Sequence, residues 1–319
     1  GINLTAANLT IHPNAKIDAS TKGYAGGGYR SNGKGPGAGI YGAAYASSGA
    51  GYGGKGGDDA QGDSGGPSYG SPTQPIDFGS GGGGGYYSGY QGGSGGGAIF
   101  VNITDTLIVN GSILANGGNG CANLAGDSYC DCGGGSGGSI WIIANRLEGN
   151  GSISANGGSG DSHGGGGAGG RIAIYYQQSY FDGSISVNGG KGYQYGESGT
   201  IAVNGVILPG FCDWRLSNST HCYVTGTHYL NTNHTYDFVY LNVTGSLIGY
   251  SDINLNFPSL LELQLTGTLS LGSLSNLTIP NASLVEIYGT LSSGGINLTA
   301  ANLTIHPNAK IDASTKGYA

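Results

Sequence analysis

Toward the C-terminal side the apolar residues recur in short runs, Leu261, Leu263 and Leu265 in one and Leu284, Ile287 and Leu291 in the next. That alternation suits strands with one face turned inward. A four-residue landmark punctuates the runs: Thr244-Gly245-Ser246-Leu247, Thr266-Gly267-Thr268-Leu269 and Tyr288-Gly289-Thr290-Leu291. Its glycines stand 22 residues apart, and the next equivalent, Asn308-Ala309-Lys310-Ile311, follows after 20. A repeat of this length is one coil of a β-solenoid. The same landmark returns in the first half as Gly111-Ser112-Ile113, Gly151-Ser152-Ile153, Gly183-Ser184-Ile185 and Gly205-Val206-Ile207, with steps of 40, 32 and 22 residues. With Ala15 as the first, the pattern predicts eight coils, which at ~4.8 Å per strand advance about 38 Å. The predicted inward positions are Ile113, Ile140, Ile142, Ile153, Ile172, Ile174, Ile185, Leu247, Leu269 and Leu291, stacked like on like.

A longer period contains this one. Gly1–Ala25 returns unchanged as Gly295–Ala319, a repeat of 294 residues. Together with the absence of methionine, this leads to the expectation of an internal stretch of a longer tandem-repeat chain. Asn297 to Ile311 is then expected to stack on the coil before it as the first rung of the next unit. The predicted organisation is a coil at 1–20, a Gly/Tyr-rich insertion at 21–97, Gly-rich coils at 98–208, a cysteine-containing loop at 209–238, Leu-rich coils at 239–294 and the next unit from 295.

Three lines in the middle have nearly one text: GGSGGGAIFV ending at Val101, GGGSGGSIWI ending at Ile142 and GGGAGGRIAI ending at Ile174. NGS-I-x-ANGG follows at Asn110–Gly118 and Asn150–Gly158, and GSISVNGG at Gly183–Gly190. This text resembles the Gly-rich parallel β-helix modules of large secreted surface proteins and adhesin-like repeats. The resemblance covers about Gly92 to Leu208 closely and the Leu-rich remainder only in its period, and it implies a structural or adhesive role. The fold expected is an all-β, right-handed parallel β-helix. A leucine-rich repeat fails because its asparagine position holds Thr268 and its last leucine position Ser270.

Composition sharpens the reading. Glycine supplies 70 of 319 residues and charged residues only 9%, against ordinary values of about 7% and 25%. No G-X-Y period exists, which excludes collagen. For residues 21–97, with Tyr24, Tyr29, Tyr41, Tyr45, Tyr52, Tyr69, Tyr86, Tyr87 and Tyr90, composition predicts disorder or a long side loop. Its tyrosines are expected to cover the solenoid flank with their hydroxyls in water; the alternative is a carbohydrate-stacking or self-association surface. A net charge of −7 with scattered lysines and arginines offers nucleic acid no basic patch. No apolar run is long enough for a membrane helix, so no membrane insertion is expected.

Ten N-x-S/T triplets open at Asn3, Asn8, Asn102, Asn110, Asn150, Asn218, Asn233, Asn242, Asn276 and Asn281, and Asn297 and Asn302 repeat the first two. They predict a secreted or cell-surface glycoprotein whose only non-protein groups are covalent glycans. Of five cysteines, Cys212 and Cys222 bracket a short loop and are the preferred disulfide, contributing about 2 to 3 kcal/mol. Cys121 is expected to pair with Cys130 or Cys132, leaving one thiol over; no C-x-x-C spacing supports zinc.

Three motifs invite chemistry. Gly62-Asp63-Ser64-Gly65-Gly66-Pro67 looks like the nucleophile segment of trypsin-like proteases, but the family's histidine segment is absent. Gly53-Gly54-Lys55-Gly56-Gly57-Asp58, with Asp59 and Asp63 nearby, fits one copy of a calcium-binding nonapeptide whose stacked repeats are missing, so a solvated loop is expected. Glu262 and Glu286 are near coil register, yet neither has a second acid beside it for glycoside cleavage. No catalytic or metal site is therefore expected. The sequence reads as a structural repeat of an extracellular fibre, its partners being further copies of itself. The alternatives are an adhesive carbohydrate-binding module, which glycan binding would reveal, and a β-helix polysaccharide hydrolase or lyase, which needs acids clustered in a groove.

Overall fold

The computed structural model describes residues 1–42, 45–121, 131–214, 217–249 and 253–313. Every element among them is a strand, and the chain forms two compact units, Gly1–Gly210 and Phe211–Ala319. The first unit holds β1 (Ile2–Ala6), β2 (Leu9–Ile11), β3 (Lys16–Asp18), β4 (Ala98–Val109), β5 (Ser112–Leu114), β6 (Ser139–Gly149), β7 (Ser152–Ser154), β8 (Arg171–Phe181), β9 (Ser184–Ser186), β10 (Thr200–Val203) and β11 (Val206–Pro209). The second holds β12 (His221–Val224), β13 (Thr227–Leu230), β14 (His234–Thr235), β15 (Tyr240–Val243), β16 (Ser246–Gly249), β17 (Asn254–Asn256), β18 (Glu262–Leu265), β19 (Thr268–Ser270), β20 (Asn276–Ile287), β21 (Thr290–Ser292), β22 (Gly295–Ile305) and β23 (Lys310–Asp312).

In the second unit the 22-residue rhythm becomes parallel ladders. Strands β12, β15, β18, β20 and β22 pair in turn, as do β13, β16, β19, β21 and β23. The register puts Leu247 opposite Leu269 and Leu269 opposite Leu291, all fully buried. A second column runs Val224, Val243, Leu265, Ile287. His228 heads the leucine column, and burial pushes its imidazole down to about 4, so it enters the stack neutral. Glu262 pairs with Leu284 and Glu286 with Gln264, so the two acids do not stack.

The first unit has the same parallel pairing along β1, β4, β6, β8 and β10, and along β3, β5, β7 and β9. Ile2, Ile99, Ile140, Ile172 and Ile201 form one column, and Ile17, Ile113, Ile153 and Ile185 another. Of the ten predicted inward residues nine are buried, and Ile185 is half-buried.

The structure corrects the expectation that the eight landmarks mark eight coils of one solenoid. Its parallel sheets fall into separate groups in two units. The landmark at Gly205 is a reversal: Asn204 (φ 47°) and Gly205 (φ 84°) form a tight turn, and β11 returns antiparallel on β10. Two consecutive positive-φ residues are what a two-residue hairpin of the primed type requires. Val206 and Ile207 are consequently 36% and 46% exposed.

The described residues of 21–97 likewise depart from the expected disorder or long side loop. Extended glycine segments from this stretch interleave with Gly117–Gly120, Gly133–Gly138, Gly157–Gly160 and Gly164–Gly170. Along one of them the amides of Gly133, Gly134 and Gly135 donate to the carbonyls of Gly83, Gly165 and Gly118; those of Ser136, Gly137 and Gly138 donate to Ser80, Ala168 and Ala115. Every third residue thus addresses the same neighbouring segment. The next segment repeats this, with Gly165, Gly166 and Gly167 bonded to Ser47, Gln194 and Gly158, then Ala168, Gly169 and Gly170 to Ala50, Glu197 and Ala155. Three residues per turn is the symmetry of the polyproline-II conformation, whose backbone groups all point outward. In isolation they bond water; here they bond each other, which satisfies a buried backbone without a sheet. The segments lie so close that a β-carbon on Gly134 would stand 2.0 Å from the Gly158 carbonyl oxygen.

Two tyrosines of this layer depart from the expected wet hydroxyls. Tyr52 is fully buried, its hydroxyl 2.6 Å from Ser139 Oγ, and the Tyr69 hydroxyl lies 2.8 Å from Ser80 Oγ and donates to the Phe78 carbonyl. Burial pushes the Tyr52 phenol up to about 12 and also raises Tyr69. Arg171, 7% exposed, donates to the Tyr69 and Tyr52 carbonyls and to Thr200 Oγ1.

Candidate functional site

The repeated segment occurs in two settings, and the comparison isolates what its edges do. In the first unit it precedes β4 and β5, pairing Ile2 with Ile99, Leu4 with Val101, Leu9 with Leu107, Ile11 with Val109 and Ile17 with Ile113. In the second unit the identical residues follow β20 and β21, pairing Ile296 with Leu277, Leu298 with Ile279, Leu303 with Val285, Ile305 with Ile287 and Ile311 with Leu291. The turn is also the same: Asn14 and Asn308 have φ of 68° and 72°, and the amides of Ala15 and Ala309 donate to His12 and His306 at 3.0 Å. As expected, Asn297 to Ile311 stacks on the preceding coil; residues 314–319 of the second copy lie outside the described residues.

Each apolar position of the segment therefore meets an apolar residue on either side. Burial reflects which side is covered: Ile11 is 4% exposed where β4 follows it, while Ile305 is 50% exposed where only β20 packs beside it. His306 adds a contact to the preceding coil, its ring stacked 3.7 Å from Tyr288.

None of the sequon asparagines is buried. Asn3, Asn8, Asn150, Asn218, Asn233, Asn276, Asn281, Asn297 and Asn302 are exposed, and Asn102, Asn110 and Asn242 are half-buried. Several of the amide groups are engaged: Asn242 Nδ2 donates to Gln264 Oε1 at 2.7 Å, Asn276 Nδ2 to Asn254 Oδ1 at 2.9 Å and Asn302 Nδ2 to the Ser283 carbonyl at 3.4 Å, while Asn8, Asn110, Asn218 and Asn233 accept backbone amides at Oδ1.

Cys212 pairs with Cys222, and Cys121 with Cys132; Cys130 lies outside the described residues. Two intrachain disulfides fit folding in an oxidising, extracellular-type compartment. No helix among the described residues is long and apolar enough to cross a membrane.

The remaining motifs separate clearly. Ser64 is exposed with no histidine hydrogen-bonded to it among the described residues, and His163 Nδ1 instead lies 2.8 Å from Asp131 Oδ1. Asp131, Asp161 and His163 place ligand-type atoms within 4.8 Å of one another in a largely open setting. This grouping was not legible in the sequence, because Asp131 sits on a different segment from Asp161 and His163. Tyr29, Tyr45 and Tyr87 gather with Tyr86 and Tyr90 at the glycine-layer turns, each of the first three more than half exposed, with the Arg30 guanidinium 4.0 Å from the Tyr86 ring. Compared with protein-family models, with curated protein sequences and with solved structures, the chain matches none.

Proposed function

We propose that this chain is a structural stretch of an extracellular, glycan-coated fibre in which right-handed parallel β-helix coils continue from one 294-residue unit into the next. The observation that carries the reading is the double setting of the repeated segment. One rung, Ile2 to Asp18 or its copy Ile296 to Asp312, fits β20–β21 on one side and β4–β5 on the other. The exposed Leu303, Ile305 and Ile311 would be covered by the next unit's β4 and β5, as Leu9, Ile11 and Ile17 are here. The continuous block then runs from Phe211 of one unit to Gly210 of the next, closed by the antiparallel β11, a device that blocks strand addition.

A chain of two periods, residues 1–294 followed by 1–319, tests this. In the 319-residue chain, amides of β22 that point away from β20 exchange quickly; at the internal junction of the two-period chain they are expected to slow by about a hundredfold or more. Equal, fast exchange in both chains would exclude a continuous ladder.

The sequon asparagines are the proposed glycan sites, being strand-edge and turn residues that a transferase can reach. Peptide mass spectrometry of native material should find at least half of the ten occupied. Bare Asn3, Asn8, Asn242 and Asn276 together would sink the glycoprotein reading. A second reading, carbohydrate adhesion, draws on the exposed Tyr29, Tyr45 and Tyr87 rings, which offer apolar faces of the kind sugars stack on.

A further inference from the structure

The segment Lys55 to Asp63 carries three carboxylates, and the structure treats them differently. Asp58 is neutralised: Lys55 Nζ donates to its Oδ1 at 2.7 Å, and the amide of Gly65 donates to the same oxygen at 2.8 Å. Asp59 is only 2% exposed, contrary to the solvated loop expected from sequence. Its Oδ1 accepts the amides of Gln61 and Asp63 at 2.9 and 3.0 Å, but its Oδ2 is buried with no hydrogen-bond partner. The Asp63 carboxylate faces the same small space. Asp63 Oδ2, the Ala46 carbonyl oxygen and Asp59 Oδ2 all converge beside Gly42, lying 2.1, 2.9 and 3.0 Å from where a β-carbon on that glycine would stand. No lysine, arginine or histidine pairs with Asp59 or Asp63 among the described residues.

A buried carboxylate oxygen without a partner, beside a second carboxylate, is costly unless a proton or a cation joins them. We propose that Asp59 and Asp63, with the Ala46 carbonyl, bind a divalent cation of the calcium class, which ties the Gly54–Gly66 segment to Ala46. All the donors are oxygens, which favours Ca²⁺ over zinc or copper. The ring is irregular and supplies few protein oxygens, so water completes the shell and the affinity falls in the range of extracellular modules, a Kd on the order of 10⁻⁴ to 10⁻³ M. The sequence pattern alone did not carry this, because a stacked nonapeptide array is absent; Ala46 is far enough from Asp59 and Asp63 along the chain that only the fold joins them.

The rival is a shared proton. Desolvation by burial raises the Asp59 carboxyl, with the neighbouring Asp63 and Asp58 charges adding to it and the amides of Asp63 and Gln61 opposing it. A raised folded-state value means that the cation-free chain binds its proton more tightly than the unfolded chain does. Its stability contribution is then greatest at acid pH and is lost as pH rises through the folded value.

The experiment is a calcium titration of the 319-residue chain at pH 7.5 by calorimetry, with thermal melts in EGTA and in 10 mM CaCl₂. Expected are saturable binding in the stated range and a melting point a few degrees higher in calcium. Asp63→Asn, at the more open carboxylate, and Asp59→Asn are each expected to weaken binding at least tenfold, while Asp58→Asn leaves it unchanged. Absence of calcium binding by the unaltered chain overturns the proposal, whatever the variants do. So does a melting point indifferent to calcium that rises as pH falls from 7 to 5, the signature of the shared proton. Calcium binding retained in full by Asp63→Asn places the ion elsewhere, for instance at Asp131, Asp161 and His163, and overturns it as well.

Discussion

Alanine in place of Gly135 or of Gly167 is expected to destabilise the first unit by about 2 to 3 kcal/mol in each case, near the upper range for overpacking a dense interior. A β-carbon on Gly135 would stand 2.2 Å from the Ser94 carbonyl oxygen, and one on Gly167 would stand 2.1 Å from the Gly135 oxygen. Both obstacles are backbone, fixed by hydrogen bonds on either side, so no side chain can swing away. Moving the segments apart would lengthen the bonds from Gly135 to Gly118 and from Gly167 to Gly158. Gly28 is the control, because nothing lies within 4 Å of its β-carbon position and Gly28→Ala meets no obstacle. It is expected to stay within about 0.5 kcal/mol of the unaltered chain. Urea unfolding followed by circular dichroism reads all three. If Gly135→Ala and Gly28→Ala unfold at the same midpoint, the close-packed glycine layer is wrong.

The second large effect is expected at Leu269→Ala, with a loss of about 3 kcal/mol from the second unit. Leu269 is fully buried and stands in register between Leu247 and Leu291. Truncation opens a cavity bordered by leucines of both neighbouring coils, and the ladder hydrogen bonds prevent those coils from closing over it. Leu261, 46% exposed just before β18, makes the comparison; its alanine variant should cost no more than about 0.5 kcal/mol. A Leu269→Ala chain that melts with Leu261→Ala would show that the landmark leucines do not form the core.

The parallel stacking was legible wherever a side chain carried the signal. Leu247, Leu269 and Leu291 recur at one spacing because each must cover the one before, and the ladders of β16, β19 and β21 follow that spacing residue for residue. Cys212 and Cys222 were readable as a pair because a sequence separation of only 10 keeps them local. For Cys121 the sequence left two partners open, and the fold chose Cys132. The turn at Gly205 was misread as a coil landmark, although Asn204-Gly205 between Ile201-Ala202-Val203 and Val206-Ile207-Leu208 is a hairpin signature.

By itself, then, the sequence determined the all-β class, the inward residues of nearly every coil and the fit of the repeated rung to the coil before it, because apolar side chains keep the period of the strands that bury them. The tertiary structure alone decided the glycine layer, the division into two units and the burial of Asp59. Glycine has no side chain to record a face, so a glycine run carries no periodicity, and the partners of its amides depend on which segments the surrounding coils bring within reach. The amide of Gly133 bonds the carbonyl of Gly83 and that of Gly134 bonds Gly165; nothing in Gly-Gly-Gly-Ser distinguishes one from the other until the chain has folded.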